Sequence, residues 1–175
     1  LFLPDCISPI ISMKLEESMI LAAPSNKGYF DEQAIPYLKE HLDAYDIVVI
    51  GNGMGRNEVC KGLVKAVLES NLPCILDGDA IYEAGKMVSL FQRQAVTILT
   101  PHVKEMSYLC NCKVNEITED PLRYVHEFVE HYPQVTLALK DQHTIICDRK
   151  YTYMNTAGNH ALAKGGSGDV LCGIL

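Results

Sequence analysis

Residues 46–58 read "DIVVIGNGMGRNE": four apolar residues in a row, three glycines at alternate positions, then Asn57 ahead of a helical pattern. An apolar run of this length without polar alternation marks a strand covered on both faces, as in a parallel sheet. The glycines let the chain turn sharply and bring bare backbone close to a ligand. Their spacing is G-x-G-x-G, which is not the G-x-G-x-x-G of dinucleotide folds. Beyond them, Val59, Leu63, Val67 and Leu68 share one helical face over 57–70, with Asn57 as a cap. Strand, tight turn and helix in that order begin a βαβ unit.

The same order recurs outward in both directions. Further apolar runs are "SMILAAP" (18–24), "PCILD" (73–77), "AVTILT" (95–100) and "VTLALK" (135–140). Residues 31–43 place Ile35, Leu38 and Leu42 on one face, with Pro36 limiting where that helix starts. Residues 118–132 align Leu122, Val125, Phe128, Val129 and Tyr132, with Thr118 as N-cap and Pro121 in the first turn. Residues 144–155 read as a hairpin turning at Asp148-Arg149-Lys150. The pattern predicts one α/β domain over 1–175, a mostly parallel sheet flanked by helices with a late β-hairpin. In such sheets ligands bind beyond the carboxyl ends of the strands.

Each strand end carries polar residues. "DGDA" (77–80) offers two carboxylates, suited to Mg²⁺ or to a hydroxyl, and equally suited to capping the next helix. "TPHVKEM" (100–106) looks like a helix start with His102 as a polar capping residue. "KDQHT" (140–144) places Lys140 and Thr144 where phosphate oxygens can be met, although a lone lysine there is commonly just solvated. Near the end, "GGSGD" (165–169) precedes the apolar Val170-Leu171. Nearly bare backbone at a helix start suits an anion, because the first N–H groups lack partners and the dipole is positive there. Asp169 repels a phosphate, so it either caps the helix or does chemistry.

The charge of −7 argues against nucleic acid as a principal partner. No apolar run approaches the ~20 residues of a membrane span. The seven cysteines have no paired spacing and fit a reducing cytoplasm. Cys60, Cys74, Cys147 and Cys172 read as core residues, and Cys110 and Cys112 lack a second ligand pair at zinc spacing. The chain opens "LFLPDC", without Met, and reads as a piece of something longer.

The ordered set "VVIGNGMGR", "ILDGDAI", "ILTPHVKEM", "LALKDQHT" and "NTAGNHALAKGGSGDVLCGIL" resembles the ADP/ATP-dependent NAD(P)H-hydrate dehydratase family of the ribokinase-like superfamily. The resemblance runs from about residue 46 to the end, and its last block is highly specific. It implies a lyase of metabolite repair. The hydroxyl of hydrated NAD(P)H, (6S)-NAD(P)HX, is phosphorylated by ADP or ATP with Mg²⁺, and loss of phosphate restores NAD(P)H. Carried over by motif, Asp169 is the general base and Gly53, His102 and Asp169 contact the hydrate. Lys140, Asp141, Gln142, His143, Thr144 and Gly168 hold the nucleotide, and Gly165, Gly166, Ser167 and Gly168 form the anion hole. No metal ligand is assigned. The chain departs from the family pattern at Asn52, Gly78, Val103-Lys104 and Asp141. The resemblance also implies homo-oligomers, and segments before Leu1 and after Leu175. Two other readings stand beside it: a ribokinase-like kinase of a vitamin precursor or sugar alcohol, and a non-catalytic nucleotide-binding module. The first shares "GSGD" but gives no reason for "LTPHVKEM" together with "GNHALAKGG".

Overall fold

The computed structural model describes residues 1–157 and 164–175; positions 158–163 of the last motif block lie outside the described residues. The chain opens with β1 (Phe2–Pro4), α1 (Ser8–Ser12), β2 (Leu21–Ala23), β3 (Ser25–Asn26), β4 (Tyr29–Phe30) and α2 (Ala34–His41). The alternating part follows as β5 (Val48–Ile50), α3 (Glu58–Glu69), β6 (Cys74–Leu76), α4 (Asp79–Ala84), β7 (Thr97–Leu99) and α5 (Val103–Cys110). Then come α6 (Val114–Glu119), α7 (Pro121–His131), β8 (Val135–Leu139), β9 (Thr144–Cys147), β10 (Thr152–Asn155) and α8 (Ser167–Ile174). The six-stranded sheet has the order β10-β9-β8-β7-β6-β5. Strands β5 to β8 run parallel, and β9 and β10 add an antiparallel hairpin at one side. The α/β architecture and the late hairpin therefore agree with the pattern of apolar runs.

Burial explains which runs became central strands. All three residues of β6 are buried, and so are Val135, Leu137, Ala138 and Leu139 of β8. Helices α3, α5 and α7 cover the sheet with Leu63, Val67, Met106, Val125 and Phe128. Phe91 meets Phe128 and Tyr132 edge-on, at 5.9 and 5.7 Å between ring centroids, a favourable geometry for aromatic quadrupoles. At β5 the expected two-sided burial does not hold, since Val49 is 47% exposed on the outermost parallel strand of this sheet.

Two local expectations change. The run at 18–24 forms β2, but β2 pairs with β1 in a sheet of its own. An apolar run says that a strand is covered, not which partner takes its hydrogen bonds; here the Leu21 amide donates to Leu1. Thr118 is not the N-cap of the helix that follows. It lies within α6, where its hydroxyl donates to the Val114 carbonyl at 3.0 Å. The cap is Asp120, whose carboxylate accepts from the Arg123 amide. Pro121 disfavours helical backbone at the residue before it, and Asp120 accordingly leaves the helical region at φ −146°. One expected helix thus becomes two. The Asn57 cap holds, accepting from the Cys60 amide at 2.8 Å, and Pro36 sits in the first turn of α2, where no donor is needed.

Candidate active site

The parallel register brings the strand ends to one level. Ile50 pairs with Leu76, and Leu76 with Leu99, so the next residues, Gly51, Asp77 and Thr100, stand side by side. One step further along β7 and β8, His102 bridges to Lys140. Asp77 is the hub. Its carboxylate accepts from Lys140 Nζ at 2.6 Å and from Thr100 Oγ1 at 2.7 Å. Burial works to raise the Asp77 carboxyl, but the hydrogen bonds from Lys140 and Thr100 outweigh it and hold the group below the ordinary aspartate range.

Asp79 has separate partners, the Gly55 amide at 3.0 Å and Arg56 Nε at 2.6 Å, and it thereby fastens the glycine turn to α4. Neither aspartate caps α4 through its side chain, because Gly78 occupies that position at φ +53°. Arg56 also lies over the Tyr82 ring at 4.2 Å. Among the described residues, no group of three or more His, Cys, Asp and Glu side chains is placed to hold a metal.

Helix α8 begins against this hub. Its N-cap is Gly166 at φ +89°, in the left-handed region that favours glycine. A β-carbon at Gly168 would sit 3.1 Å from Asp77 Oδ2 and 3.8 Å from Lys140 Nζ, so the first turn rests on the ion pair. Among the described residues, no atom lies within 4 Å of where a β-carbon of Gly165 or Gly166 would sit. The N–H groups of the first turn have no helical partner. Beside them the Ser167 hydroxyl is buried with no hydrogen-bond partner among the described residues. Asp169 stands in that first turn rather than at the cap, and its carboxylate accepts from Asn52 Nδ2 at 2.7 Å. The capping alternative for Asp169 is therefore removed.

The other expected site residues fall around this centre. Gly53 lies in the turn after β5 at φ +62°, and among the described residues no atom lies within 4 Å of where its β-carbon would sit. His102 is the N-cap of α5: its Nδ1 accepts from the Glu105 amide, while Glu105 accepts from the His102 amide. Burial pushes the Glu105 carboxyl up, partly offset by that amide and by the nearby His102 and Lys140. Asp141, Gln142 and His143 form the exposed turn between β8 and β9, and Thr144 opens β9. Asn52 and Thr100 were not among the expected site residues, and Asp77 was expected only as a strand-end carboxylate suited to Mg²⁺ or a hydroxyl, or as a helix cap. Their signal is positional: Asp77 and Thr100 each directly follow a parallel strand, and adjacent strands in register place them together.

The Asp77–Lys140 pair makes stability depend on pH. A depressed native carboxyl adds stability above its unfolded value, and that stability is lost as pH falls through the native value. Asp77→Asn leaves the Lys140 ammonium without its counter-charge and should cost roughly 3 kcal/mol at neutral pH. The deficit should begin to narrow below about pH 4, the ordinary carboxyl value, and close as pH falls through the lower native value of Asp77. Denaturant melts across pH measure this, and a deficit independent of pH would contradict it.

The family model described as NAD(P)H-hydrate dehydratase matches residues 10–175. The chain belongs to this family. The bifunctional NAD(P)H-hydrate repair enzyme Nnr of Coxiella burnetii is 40% identical over 139 residues, covering 79% of this chain and 28% of that protein. The ADP-dependent (S)-NAD(P)H-hydrate dehydratase of Bacillus subtilis is 32% identical over 134 residues, covering 76% of this chain and 47% of its own length. The chain thus spans less than half of either curated relative. Among solved structures, the B. subtilis ADP/ATP-dependent NAD(P)H-hydrate dehydratase, co-crystallised with ATP/Mg²⁺ and soaked with CoA, aligns with a TM-score of 0.71 at 28% identity. That alignment covers 97% of this chain and 58% of the other. A ribokinase-like superfamily protein from Enterococcus faecalis aligns with a TM-score of 0.79 at 22% identity, over 99% of this chain and 57% of its own, and supports the fold.

Proposed function

We propose that the protein is a nucleotide-dependent dehydratase that repairs (6S)-NAD(P)HX to NAD(P)H. The observation that carries the proposal is the placement of Asp169 in the first turn of α8, directly after the open glycines and above the Asp77–Lys140 pair. The residues fit a nucleotide phosphate: a helix start after near-bare glycine backbone, the Ser167 hydroxyl and an ammonium beneath. ADP or ATP would supply the phosphoryl group there, and Mg²⁺ carried with the nucleotide would offset its negative charge.

The chain's own residues divide the remaining work. Asp169 takes the proton from the substrate hydroxyl as its oxygen attacks phosphorus, the general-base role. The N–H groups at Gly165, Gly166, Ser167 and Gly168 stabilise the charge that spreads over the phosphoryl oxygens. Lys140 adds positive charge, moderated by Asp77, and residues 141–144 border the nucleotide. Gly53 and His102 border the hydrate. The nucleotide leaves one phosphate shorter, and loss of phosphate together with a proton from the adjacent ring carbon then restores the ring double bond. We further place the protein in the cytoplasm as a homo-oligomer. Its seven free cysteines support a reducing compartment; the oligomeric state follows the family resemblance and is read by light scattering.

The test is recovery of reduced-nicotinamide absorbance from NADHX with ADP or ATP. Nucleotide turnover on a sugar alcohol or vitamin precursor, without that recovery, would favour the kinase reading.

His102→Ala separates two roles. Loss of the cap should cost about 1 kcal/mol of stability, and the hydrate should bind more weakly while nucleotide affinity changes less. His102→Asn restores a capping acceptor, so it should recover the melting temperature without recovering hydrate affinity. Calorimetry showing equal losses for both ligands would contradict the assignment.

A further inference from the structure

Asn52 lies 117 positions from Asp169 in sequence, yet its side-chain nitrogen is 2.7 Å from Asp169 Oδ1. The same nitrogen is 3.4 Å from Asp77 Oδ2 and 4.0 Å from the Cys172 sulfur. An ionised carboxylate only accepts hydrogen bonds, so the end of Asn52 that faces two of them must be its NH₂ group. The amide stands between like charges and donates to both.

We propose that Asn52 is a positioning residue for Asp169, tying the first turn of α8 to the turn after β5. The inference rests on the dehydratase reading for its kinetic consequence, and on geometry alone for the tether. The support on which Asn52 is mounted is firm. Before it, Gly51 follows β5 and its carbonyl accepts from the Asp79 amide. After it, the Asp79 carboxylate fastens the Gly55 amide and the Arg56 side chain. Asp169, by contrast, is exposed and sits on a helix of eight residues. Among the described residues, Asn52 provides the side-chain hydrogen bond to its carboxylate. With Oδ1 held, the side-chain torsions of Asp169 are fixed and Oδ2 remains for the substrate hydroxyl. A reacting group misplaced by about 1 Å costs on the order of 100-fold in rate. An exposed hydrogen bond contributes only about 1 kcal/mol to stability. The effect should therefore appear in turnover much more than in melting.

Three variants distinguish a donor from a spacer. Asn52→Ala removes the bond. Asn52→Asp keeps the shape but replaces the donor with a third carboxylate. Asn52→Gln retains an NH₂ group on a longer arm. For the proposal, kcat on NADHX should fall about 10- to 100-fold in Asn52→Ala and at least as far in Asn52→Asp. Asn52→Gln should recover part of the loss, and KM for nucleotide should stay within about twofold in Asn52→Ala. A kcat that is unchanged in Asn52→Ala or in Asn52→Asp overturns the proposal. Hydrogen–deuterium exchange over residues 167–172 reads the tether without turnover. If the wild-type protein does not convert NADHX, the dehydratase reading falls and exchange alone decides. Faster exchange in both Asn52→Ala and Asn52→Asp then upholds the tether, and unchanged exchange in either one overturns it.

Discussion

Asp169→Asn should lower turnover of NADHX by about 10²–10⁴, the usual cost of losing a positioned general base, while nucleotide affinity changes little. The amide has nearly the shape of the carboxylate, so the first turn of α8 keeps its place over Asp77 and Lys140. What disappears is the group that accepts the proton. Removing a negative charge beside an anion site also relieves repulsion, so phosphate binding has no electrostatic reason to weaken. Calorimetric titration with ADP or ATP and steady-state kinetics together separate the two effects. A variant that kept near-parental turnover would reduce Asp169 to a dipole-compensating residue at the helix start.

The largest loss of stability is expected from Gly51→Ala. Gly51 adopts φ +127°, where a side chain is strained in any surroundings. A β-carbon there would lie 1.8 Å from the Asp77 carbonyl oxygen, 2.9 Å from its carbonyl carbon and 2.7 Å from the Ala80 β-carbon. The first two contacts are backbone of the neighbouring strand end, which cannot turn aside as a flexible side chain would. Relief requires parting β5 from β6 at the level of the site, and losses above about 4 kcal/mol are typical of such clashes in packed regions. Gly55→Ala is the control. Gly55 also has positive φ, at +80°, but among the described residues nothing lies within 4 Å of its would-be β-carbon. It should cost only the backbone strain, about 1–2 kcal/mol. Urea melts of the two variants compare them directly, and equal midpoints would show that the contact at Gly51 relaxes freely.

Much of the architecture was legible because its signals are local. Continuous apolar runs marked β6, β7 and β8, since burial on both faces leaves no place for alternation. Asn57 could be read as a cap because the residue that caps a helix is adjacent to it. The break between α6 and α7 was missed although Pro121 announces it; the apolar face of 118–132 outweighed the backbone restriction on Asp120. The partner of β2 was not legible, because strand pairing is decided by whichever edge is within reach.

The site divides in the same way. The glycine-bounded start of α8 and the carboxylate that follows it are contiguous, so their residue types alone pointed to an anion and a base. The capping role of His102 was visible, because its capping box with Glu105 spans only four residues. The electrostatics of the centre had no such trace. Lys140 reads as a free cation in the sequence, yet it is paired with Asp77, 63 positions away. Asn52 reads as one polar residue in a glycine turn, yet it holds Asp169 from 117 positions away. No periodicity links such positions. They meet because parallel strands in register end at one level and α8 starts above those ends, and a hydrogen bond acts only across about 3 Å of space, whatever the separation along the chain.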